Sequence, residues 1–197
     1  MVPPPVAAVR LAVPALEVPE VATNAVIFVA LAIAPEETTK ISDVKKLISQ
    51  INIDFGKEFI ISMAPVSASM ENDYPGMGGF NYKKLYQSLE GKRINYFNTQ
   101  FYYDFSEDSY ERVIRNGYPP DKIVLGMLSQ RDIKESTKIV YNLKEKYVGF
   151  GGVYNWEYFD SPPDGEKNPY QWAVKMKQAM YRSLSMIDFL KGIISYL

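Results

Sequence analysis

The side chains best placed to bind a ligand stand where apolar runs of the sequence end. Gln100 and Tyr102 close one such run, Trp156 closes another, and Glu36 follows a third. Side chains alternate along a strand, so Gln100 and Tyr102 lie on one face. A row of aromatic residues around Tyr102 is also compatible with simple core packing. A buried glutamine needs hydrogen-bond partners, however, and this favours a site.

Composition excludes several kinds of chemistry. The 197 residues contain no histidine and no cysteine. A histidine-based triad, a disulfide framework and a thiolate metal site are therefore excluded, and acid–base chemistry must use carboxylates, tyrosine or lysine. Lys and Arg total 22 and Asp and Glu total 23, for a net charge of -1. This charge balance argues against a nucleic-acid partner or an anionic membrane surface. We also expect no metal or other cofactor.

Strand-like and helix-like segments alternate along the chain and must position these side chains. Apolar runs predict five strands, at 25–34, 59–63, 94–102, 122–127 and 150–156. Between and after them we expect five helices: one capped by Ser42 and closed by Gly56, one at 82–89, one from Ser106 to about Asn116, one at 133–146, and one from Pro169 to about Arg182. Residues 67–79 are expected to form a loop. This alternation is typical of a parallel sheet with right-handed crossovers.

Two parallel architectures fit that alternation. A doubly wound sheet needs a Gly-rich phosphate turn, and neither GxGxxG nor GxxxxGK[ST] occurs. A (β/α)8 TIM barrel places polar residues at the carboxyl ends of its strands, which is the pattern found here. Five strands out of eight predict a partial α/β barrel, roughly strands four to eight with their helices.

The two ends of the chain differ from its middle. Residues 1–35 hold six of the 13 prolines and none of the 12 glycines or 15 tyrosines. We therefore expect an irregular leader at 1–24, a partial barrel at 25–183 and an apolar extension at 184–197. The longest apolar run, at 25–35, is too short for a membrane span. The N-terminus lacks the charged region of a signal peptide, so the sequence does not give a location.

Four segments resemble the glycoside hydrolase family 18 chitinases, particularly the short hevamine-like (class III) members. FIISMAP (59–65), NTQFYYD (98–104), DKIVLGML (121–128) and FGGVYNWEYFD (150–160) resemble the fifth to eighth strands of that family in turn. Their order and βα-repeat spacing make a strong match over about residues 40–181. The resemblance implies a barrel enzyme that cuts β-1,4-linked N-acetylglucosamine polymers with retention, and secretion.

The resemblance also implies roles for particular residues. In this family the acetamido oxygen of the substrate replaces the enzyme nucleophile. Glu36 matches the glutamate that protonates the leaving oxygen, Tyr102 the tyrosine that hydrogen-bonds the acetamido group, and Trp156 the floor of the sugar subsite. The remaining substrate contacts implied are Met63, Ala64, Gln100 and Met127. The expected partners are chitin or N-acetylglucosamine oligosaccharides.

The chain departs from the family at the acidic motif. The family's fourth strand carries Asp-x-x-Asp-x-Asp-x-Glu, and here Val29, Ala32 and Ala34 stand where the aspartates belong. Either this is a degenerate strand that kept its acid, or the motif is missing and Glu36 or Glu37 begins a loop. Without a neighbouring carboxylate, a positively charged intermediate loses roughly several kcal/mol of stabilisation. We therefore expect little or no chitinase activity from this chain alone.

Three hypotheses stay open at this stage. The chain is a chitinase-family hydrolase or a fragment of one, a catalytically dead chitin-binding protein similar to a lectin, or a non-functional truncated gene product. Loss of the first three strands would leave open sheet edges, through which self-association is an expected consequence.

Overall fold

The computed structural model describes residues 39–181, which form an α/β unit around a four-stranded parallel sheet. The strands are β1 (Ser62–Met63), β2 (Tyr96–Gln100), β3 (Ile123–Leu128) and β4 (Val153–Trp156), adjacent in chain order. The helices are α1 (Ile41–Phe55), α2 (Ser67–Glu71), α3 (Tyr82–Tyr86), α4 (Glu107–Arg115), α5 (Ile133–Lys146) and α6 (Tyr170–Tyr181). Single-turn 3-10 helices occur at 91–93, 120–122 and 165–167. This order is consistent with a partial (β/α)8 barrel.

Four of the five predicted strands are present in the described residues. The first predicted strand, at 25–34, lies outside them, as do the leader, Glu36 and the C-terminal extension. The numbering of the strands as four to eight of a barrel therefore stays a prediction. Within residues 39–181, no helix combines the length and apolarity needed to cross a membrane.

Three helices, α3, α4 and α5, begin where the sequence predicts, whereas α1 does not. Ser106 caps α4 by accepting a hydrogen bond from the Ser109 backbone N–H at 3.1 Å, and α5 spans the predicted residues. The prediction that Ser42 caps α1 is wrong. The helix begins earlier, after Lys40, because Ile41 packs against the core and joins the helix.

The segment at 67–79 was expected to be a loop, and this is wrong for its first residues. Ser67–Glu71 form α2, whose start is stabilised by the Ser69 backbone N–H donating to the Val66 carbonyl at 3.1 Å. Met70 on this helix is fully buried. Burial of that side chain offsets the weak helical preference of the surrounding serines.

One side of the sheet is covered by helices and holds the core. Alternate residues of β2 and β3 are fully buried there, with Phe97 and Leu125 among them. Phe97 meets Tyr86 of α3 edge to face, with ring centroids 5.9 Å apart. Just past β2, Phe101 contacts Tyr110 of α4 at 6.2 Å. These contacts fix which face of each strand points towards the helices.

A charged network joins α2 to α4 at the edge of this core. The Arg112 guanidinium pairs with Glu71 at 2.6 Å, with Asp104 at 2.8 Å and with Asp108. Glu71 is largely buried and also accepts a hydrogen bond from the Ser109 hydroxyl at 2.6 Å. Hydrogen bonding by Ser106, supplemented by Arg112, lowers the pKa of Asp104. Arg112 therefore neutralises a carboxylate that would otherwise be buried without a counterion.

Replacing Arg112 by methionine is expected to destabilise the fold by about 2–3 kcal/mol, because Glu71 stays buried without its partner. Urea unfolding measures the change. Arg115→Met is the matched control, since the 3.5 Å pair between Arg115 and Asp108 is solvent-exposed and should be worth under about 1 kcal/mol. Equal losses in the two variants would contradict the role given to Arg112.

Candidate functional site

The face of the sheet opposite the core carries polar and aromatic side chains. Gln100 pairs in register with Gly126, and Gly126 with Tyr154. Residues paired in register share a face, and so do residues two apart on one strand. We call this surface the open face. Among the described strands and the residues just after them, its members are Ser62, Ala64, Tyr96, Asn98, Gln100, Tyr102, Val124, Gly126, Leu128, Tyr154 and Trp156.

Two tyrosines meet on the open face. The hydroxyl oxygens of Tyr102 and Tyr154 are 3.3 Å apart, and the Tyr154 hydroxyl donates to the Asn98 carbonyl, also at 3.3 Å. Burial raises the pKa of Tyr102, while the hydrogen bond with Tyr154 acts in the opposite direction. Burial is the main reason that the pKa of Tyr154 lies well above its usual range, and the hydrogen bond with Tyr102 raises it further. Both phenols therefore stay protonated and can donate hydrogen bonds at neutral pH.

Gln100 is held at the end of β2 by the neighbouring strand. Its side-chain Nε2 donates to the Ala64 carbonyl at 2.6 Å, and its backbone N–H donates to the Pro65 carbonyl at 2.8 Å. Arg131 donates from Nη2 to the Tyr102 carbonyl at 3.2 Å. These bonds fix the backbone on both sides of Phe101, so Gln100 and Tyr102 are supported next to each other.

Trp156 ends β4 with 59% of its surface exposed. A buried polar network lies beside it: Asn155 Nδ2 donates to Ser129 Oγ at 2.9 Å and to Ser161 Oγ at 2.8 Å. The peptide bond after Trp156 is cis, and the Glu157 N–H donates to Ser129 Oγ at 2.8 Å. The indole is therefore presented to solvent by a backbone anchored on both sides.

The structure does not bring Met63 and Met127 to the open face. Met63 pairs in register with Phe97, and Met127 with Asn155, so both lie on the helix-facing side. Met127 is fully buried and its sulfur accepts a hydrogen bond from Trp172 Nε1 of α6 at 3.3 Å. Residue parity within a strand is the physical reason, because Gly126 and Leu128 take the opposite face. Ala64, in contrast, contributes its carbonyl to the Gln100 contact.

Charge is sparse on the open face. None of the open-face residues named above is an aspartate or glutamate. Asp104, close by in sequence, is paired with Arg112. Within residues 39–181, no group of three or more acidic side chains is arranged to hold a metal ion. The described site can hydrogen-bond and stack against a neutral ligand, and its own residues supply no carboxylic acid.

A cavity of about 960 Å³ lies elsewhere, between α5 and α6. Its lining includes Lys138, Tyr141, Lys177 and Tyr181. These side chains belong to the outer helices, so this cavity is separate from the open face.

Tyr154 is the member of this site that the sequence reasoning missed. Its position two residues before Trp156 on a strand places it on the same face. The glycine within IVLGML is the other signal, since a strand glycine often marks a close approach of another group. A Cβ on Gly126 would lie only 2.3 Å from Tyr154 Cζ, so the ring occupies that space.

Known structures resemble this chain over about three quarters of its length. A fungal endo-β-N-acetylglucosaminidase of glycosyl hydrolase family 18 is 32% identical, with a TM-score of 0.69 over 76% of this chain and 56% of its own. A chitinase from Aspergillus fumigatus is 30% identical, with a TM-score of 0.60 over 74% of this chain and 56% of its own. The chain therefore resembles part of a family 18 chitinase and spans a little over half the length of these proteins.

A more distant structure, from Streptomyces coelicolor, is 13% identical with a TM-score of 0.53, over 75% of this chain and 59% of its own. It supports the fold alone. No protein-family model and no curated protein matched the sequence.

Replacing Asn155 by alanine is expected to destabilise the fold by about 1–3 kcal/mol, because the buried Ser161 hydroxyl loses the Asn155 donor and the Ser129 hydroxyl keeps only the Glu157 N–H. Urea unfolding monitored by circular dichroism measures the change. Asn168→Ala is the control, since its 3.4 Å bond to Asp164 is exposed. If both variants unfold like the unaltered chain, the polar network does not anchor the end of β4.

Proposed function

We propose that this chitinase-like chain binds oligosaccharides of β-1,4-linked N-acetylglucosamine on its open face and by itself hydrolyses them little or not at all. One observation carries the proposal: Gln100, Tyr102 and Trp156 share that face, with Tyr154 connecting β4 to the Tyr102 hydroxyl. The likeness to a chitinase and an endo-β-N-acetylglucosaminidase supports this class of ligand.

The side chains match the chemistry of an N-acetylated sugar. The exposed indole of Trp156 offers a flat apolar face on which the C–H side of a pyranose ring can stack. The Tyr102 hydroxyl can donate to an acetamido carbonyl, and Gln100 can exchange hydrogen bonds with sugar hydroxyls. A neutral ligand suits this face because its residues bring no charge.

The proposal that hydrolysis is weak follows from the distribution of carboxylates. Substrate-assisted cleavage develops positive charge on the sugar and needs an acid at the leaving oxygen. The open face of the described strands supplies no carboxylate to stabilise that charge and no carboxylic acid to protonate the leaving oxygen. Glu36 is the proposed acid, and Val29, Ala32 and Ala34 replace the expected aspartates in the sequence. A proton donor without its charge-stabilising partner provides only a fraction of the mechanism.

The alternatives differ in measurable ways. An impaired hydrolase would bind and cleave slowly, and a lectin-like protein would bind without cleaving. A non-functional product would do neither and would lack a cooperative thermal transition. Self-association through open sheet edges stays a prediction, motivated by β1 and β4, each of which has one strand partner within the described part of the sheet. Secretion also stays a prediction.

Replacing Trp156 by alanine is expected to weaken binding of an N-acetylglucosamine tetramer about tenfold or more, because the stacking surface is removed. Isothermal titration calorimetry measures the affinity. Tyr181→Ala is the matched control, because this exposed aromatic residue lies on α6, where it lines the outer cavity. Absence of saturable binding by the unaltered chain would refute the proposed ligand class.

Hydrolysis of a fluorogenic chitooligosaccharide by the full chain is expected to stay near the rate of a buffer blank. The reason is the missing carboxylate next to the developing positive charge. Glu36→Gln is the diagnostic variant. A clear rate in the unaltered chain that disappears in Glu36→Gln would show that the chain is an active hydrolase and that the proposed inactivity is wrong.

A further inference from the structure

We propose that Tyr154 is a positioning residue that orients the Tyr102 hydroxyl towards the acetamido carbonyl of a ligand, and that Gly126 provides the space for it. The inference rests on the proposed function and deepens it, because it names the chemical group that the site selects. Tyr102 would touch the ligand, and Tyr154 would act through Tyr102.

The Tyr154 side chain crosses from β4 over β3 towards β2. Tyr154 stands on β4, yet its hydroxyl reaches the Asn98 carbonyl of β2 and the hydroxyl of Tyr102, which lies just past β2. The ring crosses β3 directly over Gly126, where an added Cβ would lie 2.4 Å from the hydroxyl oxygen. Any larger residue at this position would displace the ring. Because Gly126 has no side chain, the Tyr154 side chain of β4 can pass over β3 and reach β2.

The number of protons limits how these hydroxyls can bond. Each tyrosine hydroxyl carries one proton and can donate once. When Tyr154 donates to the Asn98 carbonyl, Tyr102 can donate to Tyr154, and its proton is used within the protein. When Tyr154 donates to Tyr102 instead, the Tyr102 proton is free for a ligand. The same pair of hydroxyls thus has an internally bonded arrangement and a ligand-bonding arrangement.

The ligand-bonding arrangement selects for an acceptor. An acetamido carbonyl accepts a hydrogen bond, whereas the protonated amine of a glucosamine unit can only donate. In a chain of donors, Tyr154 to Tyr102 to carbonyl, each bond polarises the next and strengthens it. The pair should therefore favour N-acetylated over de-N-acetylated oligosaccharides.

The environment of Tyr102 supports this assignment. The hydrogen bond with Tyr154 lowers the pKa of Tyr102 against the effect of burial. Arg131 donates a hydrogen bond to the Tyr102 backbone carbonyl, and the Tyr102 hydroxyl bonds to Tyr154. The backbone is thus fixed by one residue and the hydroxyl by another.

The test compares affinities for the tetramers of N-acetylglucosamine and of glucosamine. Tyr154→Phe and Gly126→Ala should each lower the preference for the acetylated tetramer about three- to tenfold, the first by removing the hydroxyl and the second by displacing it. Tyr103→Phe is the control, because Tyr103 is 98% exposed. In a Tyr102→Phe background, Tyr154→Phe should have no further effect on the preference, which a general structural role for Tyr154 would not predict.

A second readout needs no ligand. Tyrosine ring carbons followed by NMR against pH should show a higher pKa for Tyr102 in Tyr154→Phe than in the unaltered chain, because the lowering hydrogen bond is gone. An unchanged Tyr102 pKa, or an unchanged preference in folded Tyr154→Phe, overturns the inference while leaving the proposed function intact. If the unaltered chain binds neither tetramer, the proposed function fails and the selection inferred from it fails too. Should Tyr154→Phe not fold, Gly126→Ala gives the deciding result.

Discussion

Burial of one side of the parallel sheet sets the register of its strands and the direction of their side chains. Phe97, Leu125 and Met127 are fully enclosed beneath the helices, and Phe97 and Phe101 contact aromatic rings of α3 and α4. A shift of one residue along any of these strands would turn that apolar set towards the other face and bring polar side chains into the core. The helix-facing contacts therefore decide which side chains remain for the open face. The polar and aromatic character of the site follows from packing on its opposite side.

The open face is supported by anchors of different kinds. Side-chain hydrogen bonds from Arg131 to the Tyr102 carbonyl and from Gln100 to the Ala64 carbonyl hold the end of β2. A network of small polar side chains around Asn155 holds the end of β4. Tyr154 connects the two strands across Gly126. A site that must recognise a ring and its substituents needs such support, because a displacement of about 1 Å is enough to lose hydrogen-bond geometry.

Recognition and catalysis make different demands on a family 18 scaffold. Recognition needs flat apolar surfaces and neutral hydrogen-bonding groups, and the described strand ends have both. Catalysis also needs a proton donor and fixed negative charge near the developing cation. The described open-face residues meet the first demand, and the carboxylates that the second demand requires are not among them.

Much of this architecture is predictable from the spacing of residues along the chain. Alternating apolar runs and helical segments indicated a parallel α/β fold, the Ser106 cap and the bounds of α5 were predictable, and parity along β2 placed Gln100 with Tyr102. These features depend on local spacing, which a sequence displays directly. Other features follow from packing between elements. They are the start of α1, the short helix α2, the helix-facing direction of Met127 and the contact between Tyr154 and Tyr102. They depend on which residues of neighbouring elements come into register, and on the space above Gly126, which no single segment of the sequence specifies.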